Sequence, residues 1–325
     1  MSIDLAPRKV ENTFKSLFTR GHSEIPKPRY REISWIGETK KATSVEVCGN
    51  KIIIGWTNGH IKIYDAVDLQ CLTVLQFGGH PTCFQCTCTE LISGHRDGNI
   101  CVWNIQSGLL MQKFLMGSPA DDFPVCMRWR PPKLLVASFD GIVKLWQYTN
   151  SSFISLSVSE HRPSSYLDNV RRLEFNTDYM VCLHGSSVRV HYLNGLLARE
   201  IVLFGTPTDI ALQGDYLIIG CENEKATLSI VDIKTGIYLK GLQGHPASVT
   251  ALDAKNNFVV SSDKKGQIML WNLAAGKEGN QAAGITVREP TCLKSVPPRS
   301  LHLGQNLIVG REERSQRIVV TDFPN

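Results

Sequence analysis

The sequence predicts an all-β fold, a single seven-bladed β-propeller. Three observations carry this. Short apolar runs are joined by turn residues into seven hairpin units along the 325 residues. The units close on Tyr64, Trp103, Trp146, His191, Val231, Trp271 and Thr321, about 40–50 residues apart, the period of four-stranded blades. The chain is 42% hydrophobic and 20% charged, a balance that builds a core rather than a disordered tail.

The hairpins run in order. KIIIGWTNGHIKIYD (51–65) turns on Asn-Gly, and LISGHRDGNICVWN (91–104) and KLLVASFDGIVKLWQ (133–147) turn on Asp-Gly. YMVCLHGSSVRVHY (179–192) turns on Gly-Ser-Ser, and YLIIGCENEKATLSIVD (216–232) has a longer turn. FVVSSDKKGQIMLWN (258–272) turns on Lys-Lys-Gly, and LIVGREERSQRIVVTD (307–322) on a charged run. Outer strands are expected after hairpins at 71–77, 110–116 and 237–243, and inner strands before hairpins at 209–214 and 248–254. After the seventh hairpin only Pro324 and Asn325 follow Phe323, so the last blade needs an outer strand from elsewhere. YREISWIGE (30–38) alternates Tyr30, Ile33 and Trp35 and is expected to supply it, because an open ring exposes a sheet edge. Residues 30–325 are thus read as the propeller and 1–29 as an N-terminal extension. There Phe14, Leu17 and Phe18 have the i, i+3, i+4 spacing of a short amphipathic helix.

Bulk properties exclude several classes. No run approaches eighteen apolar residues, and MSIDLAPRKVENTF lacks the apolar stretch of a signal peptide, so a cytosolic or nuclear protein is expected. The ten cysteines are then read as small buried hydrophobes. Net charge is +5 without a Lys/Arg block, which disfavours nucleic acid as the partner. His95-Arg96-Asp97 matches the triplet of a kinase catalytic loop, but Val102 stands where a metal-holding Asn belongs. His80, Cys83, Cys86 and Cys88 lie close in sequence. One strand points Cys83 away from Cys86 and Cys88, so packing is the expected role, and no metal or cofactor is called for.

The repeat resembles the WD-repeat family. The residues that carry this are Gly-His at 79–80 and 244–245, Trp-Asn at 103–104 and 271–272, and Asp-Gly at 97–98 and 140–141. The resemblance implies a hydrogen-bonded tetrad of His80, Ser93, Asp97 and Trp103 in blade two. In blade six it is expected to be broken, with Lys265 in place of the acid. It also implies a non-catalytic scaffold that binds proteins or peptides on its loop faces. Hairpin tips and inner-strand starts would share one face, carrying Asn58, His95, Arg96, Lys264, Lys265, Arg311 and Arg314, with Arg171, Arg172 and Arg299 beside them. Such a basic face suits acidic or phosphorylated peptides. Residues 14–20, FKSLFTR, are similar to the final helix of an F-box. That gives an alternative reading, a substrate receptor of a cullin-type ubiquitin ligase in which Phe14, Leu17 and Phe18 contact an adaptor.

Overall fold

The structure is a computed structural model. It describes residues 29–33 and most of 41–322. Outside the description lie 1–28, 34–40 and 323–325, with 118–122, 150–151, 161–168, 204, 223–227, 256–257, 276–284, 288–290, 295–297, 305–306 and 313–317. The helix expected around Phe14, Leu17 and Phe18 falls in that part, as does Arg314.

Seven antiparallel sheets follow one another in the chain. Blade one runs from inner to outer strand as Ala42–Cys48, Lys51–Trp56, His60–Asp65 and Cys71–Gln76. Blade two begins at Pro81–Cys86, blade three at Pro124–Arg130, blade four at Arg172–Phe175 and blade five at Thr206–Gln213. Blade six begins at Val249–Lys255, and its outer edge is made by two short segments, Ile285–Val287 and Thr291–Lys294, on one long strand, Gln267–Ala275. Blade seven begins at Pro298–Leu303, and its outer strand is Arg29–Ile33, paired with Ile318–Asp322 in the register Ile33 to Ile318. The N-terminal segment therefore closes the ring. The Arg31 guanidinium also donates to the carbonyls of Ala66 and Val67, tying the closing strand to blade one.

The hairpin strands are apolar on both faces because each sheet is packed on both sides. Ile52 and Ile54 face blade seven, among Ile33, Val309 and Val320. Ile53, between them, faces blade two, among Phe84, Leu91 and Trp103. The same division recurs around the ring, with one hydrophobic cluster between each pair of neighbouring blades. Alternation sends successive side chains of one strand to two different cores. The hairpin turns need glycine where the backbone enters the left-handed region, as at Gly98 (φ 81°) and Gly141 (φ 88°).

Six inner strands carry a β-bulge at their start, with the extra residue at 43, 82, 125, 208, 250 and 299. These starts lie beside the hairpin tips: Pro81 pairs with His95, and the Arg96 N–H donates to the His80 carbonyl. Bulges bend a strand and re-aim its side chains, here at the rim of the channel.

Candidate functional site

The inner strands place one side chain per blade at a single level of the channel: Glu46, Gln85, Arg128, Glu174, Ala211, Asp253 and His302. Each lies opposite an apolar residue of the next strand. Each is also flanked by apolar residues, as in V-E-V, F-Q-C, M-R-W, L-E-F, L-D-A and L-H-L. That recurring triplet, always a fixed distance before the hairpin, is a signal the sequence reading passed over.

The level forms a belt of hydrogen bonds and ion pairs. Gln85 Nε2 donates to Glu46 Oε2 at 2.8 Å, and Gln85 Oε1 accepts the Trp129 N–H at 3.1 Å. Arg128 pairs with Oε1 of the buried Glu174, whose Oε2 lies 3.2 Å from Arg130 Nη2. Arg128 also lies 3.7 Å from Asp253 Oδ1, and Asp253 Oδ2 accepts the Leu303 N–H at 2.9 Å. His302 Nδ1 is 3.7 Å from Glu46 Oε1. One level nearer the hairpin tips, Arg172 Nε is 3.5 Å from Asp209 Oδ1, and Asp209 Oδ2 accepts the Leu252 N–H at 2.9 Å. Burial opposes charge on these groups, but their partners decide the balance differently at each. Burial pulls the Arg128 pKa down, yet the Glu174 carboxylate lifts it above its usual value. Burial pushes Asp253 up, yet Arg128 and Arg172 hold it below the usual carboxylate range. At Asp209 burial wins and the pKa is raised.

The belt lies between two cavities. On the hairpin-tip side a cavity of about 680 Å³ is lined by Thr43, Thr82, Thr208, Thr250, Arg171 and Arg311, among others. On the far side a cavity of about 310 Å³ reaches Arg130 and Lys255.

The cations expected on the hairpin-tip face have different environments. Arg171 and Lys265 are exposed, Arg171 at the channel rim. Arg96 is exposed and lies 5.5 Å from the Phe123 ring centroid. Lys264 pairs with Glu222. Arg172 is turned into the belt, 3.5 Å from Asp209 and 3.8 Å from Asp253, the inward one of the Arg171-Arg172 pair. Arg311, in the lining of the hairpin-tip cavity, is engaged within the ring. Its Nη1 donates to the Ala42 and Thr43 carbonyls, both at 2.8 Å, and stitches blade seven to blade one. Asn58 is held by its own turn, Nδ2 3.0 Å from His60 Nδ1. The backbone of Arg299 lies in the inner strand of blade seven, and its side chain falls outside the description.

The tetrads also differ from expectation. In blade two His80 is exposed, and His95 takes the buried place. The Trp103 Nε1–H donates to Ser93 Oγ at 2.8 Å, Ser93 Oγ lies 2.8 Å from His95 Nε2, and His95 Nδ1 lies 3.2 Å from the Gly79 carbonyl. A carbonyl only accepts, so Nδ1 carries the proton and Nε2 takes the serine hydroxyl hydrogen. Asp97 is exposed and accepts the Asn99 N–H at 3.2 Å. In blade six the tetrad is complete. Trp271 Nε1–H donates to Ser261 Oγ at 2.7 Å, Ser261 Oγ is 2.7 Å from His245 Nε2, and His245 Nδ1 is 3.2 Å from Asp263 Oδ2. The acid sits at the end of the strand, two residues before Lys265, because only there can it point inward beside the serine. His95 occupies that strand-end position in blade two. Burial lowers the pKa of both His95 and His245 below the ordinary value, which suits neutral rings.

Two stretches of the chain, 69–104 and 236–272, match the family model described as WD domain, G-beta repeat. These are the blades that contain the two tetrads. Both stretches are WD repeats, set in a ring of seven blades.

Two curated relatives cover part of the WD-repeat ring. A 180-residue match, 53% of this chain, is 26% identical to the "Periodic tryptophan protein 2 homolog" of Caenorhabditis elegans. A 199-residue match, 57% of this chain, is 24% identical to the "Transcriptional corepressor LEUNIG_HOMOLOG" of Arabidopsis thaliana. The matches span 19% and 23% of those longer proteins. Among solved structures, the WD40 β-propeller domain of Doa1 superposes with a TM-score of 0.66 at 14% identity, covering 91% of this chain and 98% of that one. The computationally designed Ika8 protein gives 0.61 at 18% identity, covering 89% and 98%. At such identities the likeness is one of fold.

Proposed function

We propose that this WD-repeat propeller is a non-catalytic scaffold that binds an acidic or phosphorylated segment of a partner protein at the hairpin-tip mouth of its channel. The observation that carries this is the exposed Arg171 guanidinium at the rim of a polar cavity of about 680 Å³, on the same face as Arg96 and Lys265. A guanidinium can hold a carboxylate or phosphate through paired N–H donors. The internal cations support the assignment by contrast. Arg128 and Arg172 face carboxylates and Arg311 is used on backbone carbonyls, which leaves the rim cations for a ligand. One relative is a transcriptional corepressor by name, which suits a nuclear or cytosolic setting for this chain as well.

The test is charge reversal at Arg96, Arg171 and Lys265 together, with affinity capture of partners by the intact chain and by the variant. The variant loses the phosphorylated or acidic partners and keeps its thermal midpoint. A folded variant that captures the same partners with the same yield overturns the reading.

A further inference from the structure

Blade four carries a different set of side chains where blades two and six have their tetrads. Its hairpin pairs Met180 with His191 and Cys182 with Arg189, the register that pairs Leu91 with Trp103 and Ser93 with Cys101 in blade two. Cys182 therefore stands at the place of Ser93, His184 at that of His95, and His191 at that of Trp103. A hydroxyl has become a thiol, and an indole has become an imidazole. Both exchanges replace a group that cannot ligate a soft cation with one that can.

The geometry agrees with the chemistry. Cys182, His184 and His191 are all buried, and one ligand atom from each lies within 4.8 Å of the others. The edges of a zinc tetrahedron with one sulfur and two nitrogens are roughly 3.4–3.6 Å, so small side-chain rotations would close the set. His191 is already oriented as a ligand would be. Its Nδ1 lies 3.2 Å from the Gly195 carbonyl, which can only accept, so Nδ1 holds the proton and Nε2 carries the lone pair that a metal would take. The site sits under a hairpin tip that is itself closed by a hydrogen bond from the His184 N–H to the Ser187 carbonyl at 2.9 Å.

We propose that blade four binds one zinc ion through Cys182 Sγ, His184 and His191 Nε2, with the fourth position taken by water. On binding, the sulfur–hydrogen bond gives way to a sulfur–metal bond and the proton leaves to solvent; no electron is transferred. The ion would do for blade four what the indole–serine–imidazole bridge does for blades two and six, joining the two central strands from side chain to side chain. The cysteines at 80–88 give no such arrangement, since Cys83 is buried while Cys86 is half-buried and Cys88 exposed.

The full chain, treated with a chelator and then titrated with Co2+ as a spectroscopic stand-in for zinc, tests this. One equivalent of Co2+ binds, with a near-ultraviolet thiolate-to-cobalt charge-transfer band and visible d–d bands, and Zn2+ displaces it. The Cys182→Ser chain loses the charge-transfer band. His191→Gln weakens Co2+ binding at least tenfold. A chain with Cys86→Ser and Cys88→Ser keeps the full signal. Failure of the folded wild-type chain to develop any cobalt band overturns the proposal without reference to a variant. Persistence of the band in a folded Cys182→Ser chain overturns it as well, by assigning the metal to other cysteines, and so does an undiminished Co2+ affinity in a folded His191→Gln chain.

Discussion

Ser261 receives the Trp271 indole N–H and gives its own hydrogen to His245, so one hydroxyl satisfies two buried groups. Ser261→Ala leaves both without a partner, and we expect a loss of about 2–4 kcal/mol in urea unfolding. His80→Ala, at a residue that looked equivalent in sequence but is exposed, should change stability by less than about 0.5 kcal/mol. The two histidines inside the tetrads also set a pH dependence. Burial lowers their folded pKa values, so the unfolded chain binds more protons between the folded values and the ordinary 6.5. The stabilisation is present above about pH 6.5 and is lost as the pH falls from there through the lowered values. Thermal midpoints measured from pH 7.5 to 5 should fall, and His245→Gln should flatten part of the slope. The register of these groups was not legible beforehand. Gly-His and Trp-Asn mark the two ends of the tetrad in blade six, but in blade two the Gly-His histidine is exposed and Asp97 draws the eye as an acid that takes no part. Whether a side chain at a strand end points inward depends on the pleat, which the turn residues hide.

At the scale of the element, the hairpins were the most legible part. Their strands are largely apolar and three of the seven turns hold Asn-Gly or Asp-Gly, so local chemistry and burial on both faces agree. The closing strand was legible for a different reason, as the solution to an unpaired edge. Arg29–Ile33 completes blade seven, and Ile33 is buried between blades seven and one. Removal of residues 1–40 should therefore lower the thermal midpoint of the whole molecule. Ile33→Ala alone should cost about 2–4 kcal/mol. An unchanged midpoint in the truncated chain would show that the ring does not depend on this strand. The outer edge of blade six was less legible, because it is built from two three- and four-residue pieces that carry little periodic signal.

Across the whole molecule, the belt couples blades that are far apart in sequence. Glu174 of blade four meets Arg128 of blade three, and Arg128 reaches Asp253 of blade six. Glu174 is fully buried and Arg128 half-buried, so Glu174→Gln strips Arg128 of its main counter-charge, and a loss of about 2–4 kcal/mol is expected in chemical denaturation. A surface pair such as Lys264–Glu222 should contribute no more than about 1 kcal/mol when broken the same way. The belt could not be read one residue at a time. Each polar side chain between two apolar ones looks like ordinary strand alternation, and its partner is known only once the ring is closed.

The pairing of Ile33 with Ile318 has a consequence during synthesis. A ribosome adding about 5–20 residues per second needs roughly 15–60 s to make the intervening stretch. Through that interval the first strand has emerged and its mate does not yet exist. Six blades can stack as they appear, but the final latch waits for translation to deliver the other half. A nascent chain in that state offers an unpaired strand at one end and an unfinished sheet at the other. Two such chains on neighbouring ribosomes could each close the other's ring, so crowded polysomes are where strand-exchanged dimers of this protein should first arise.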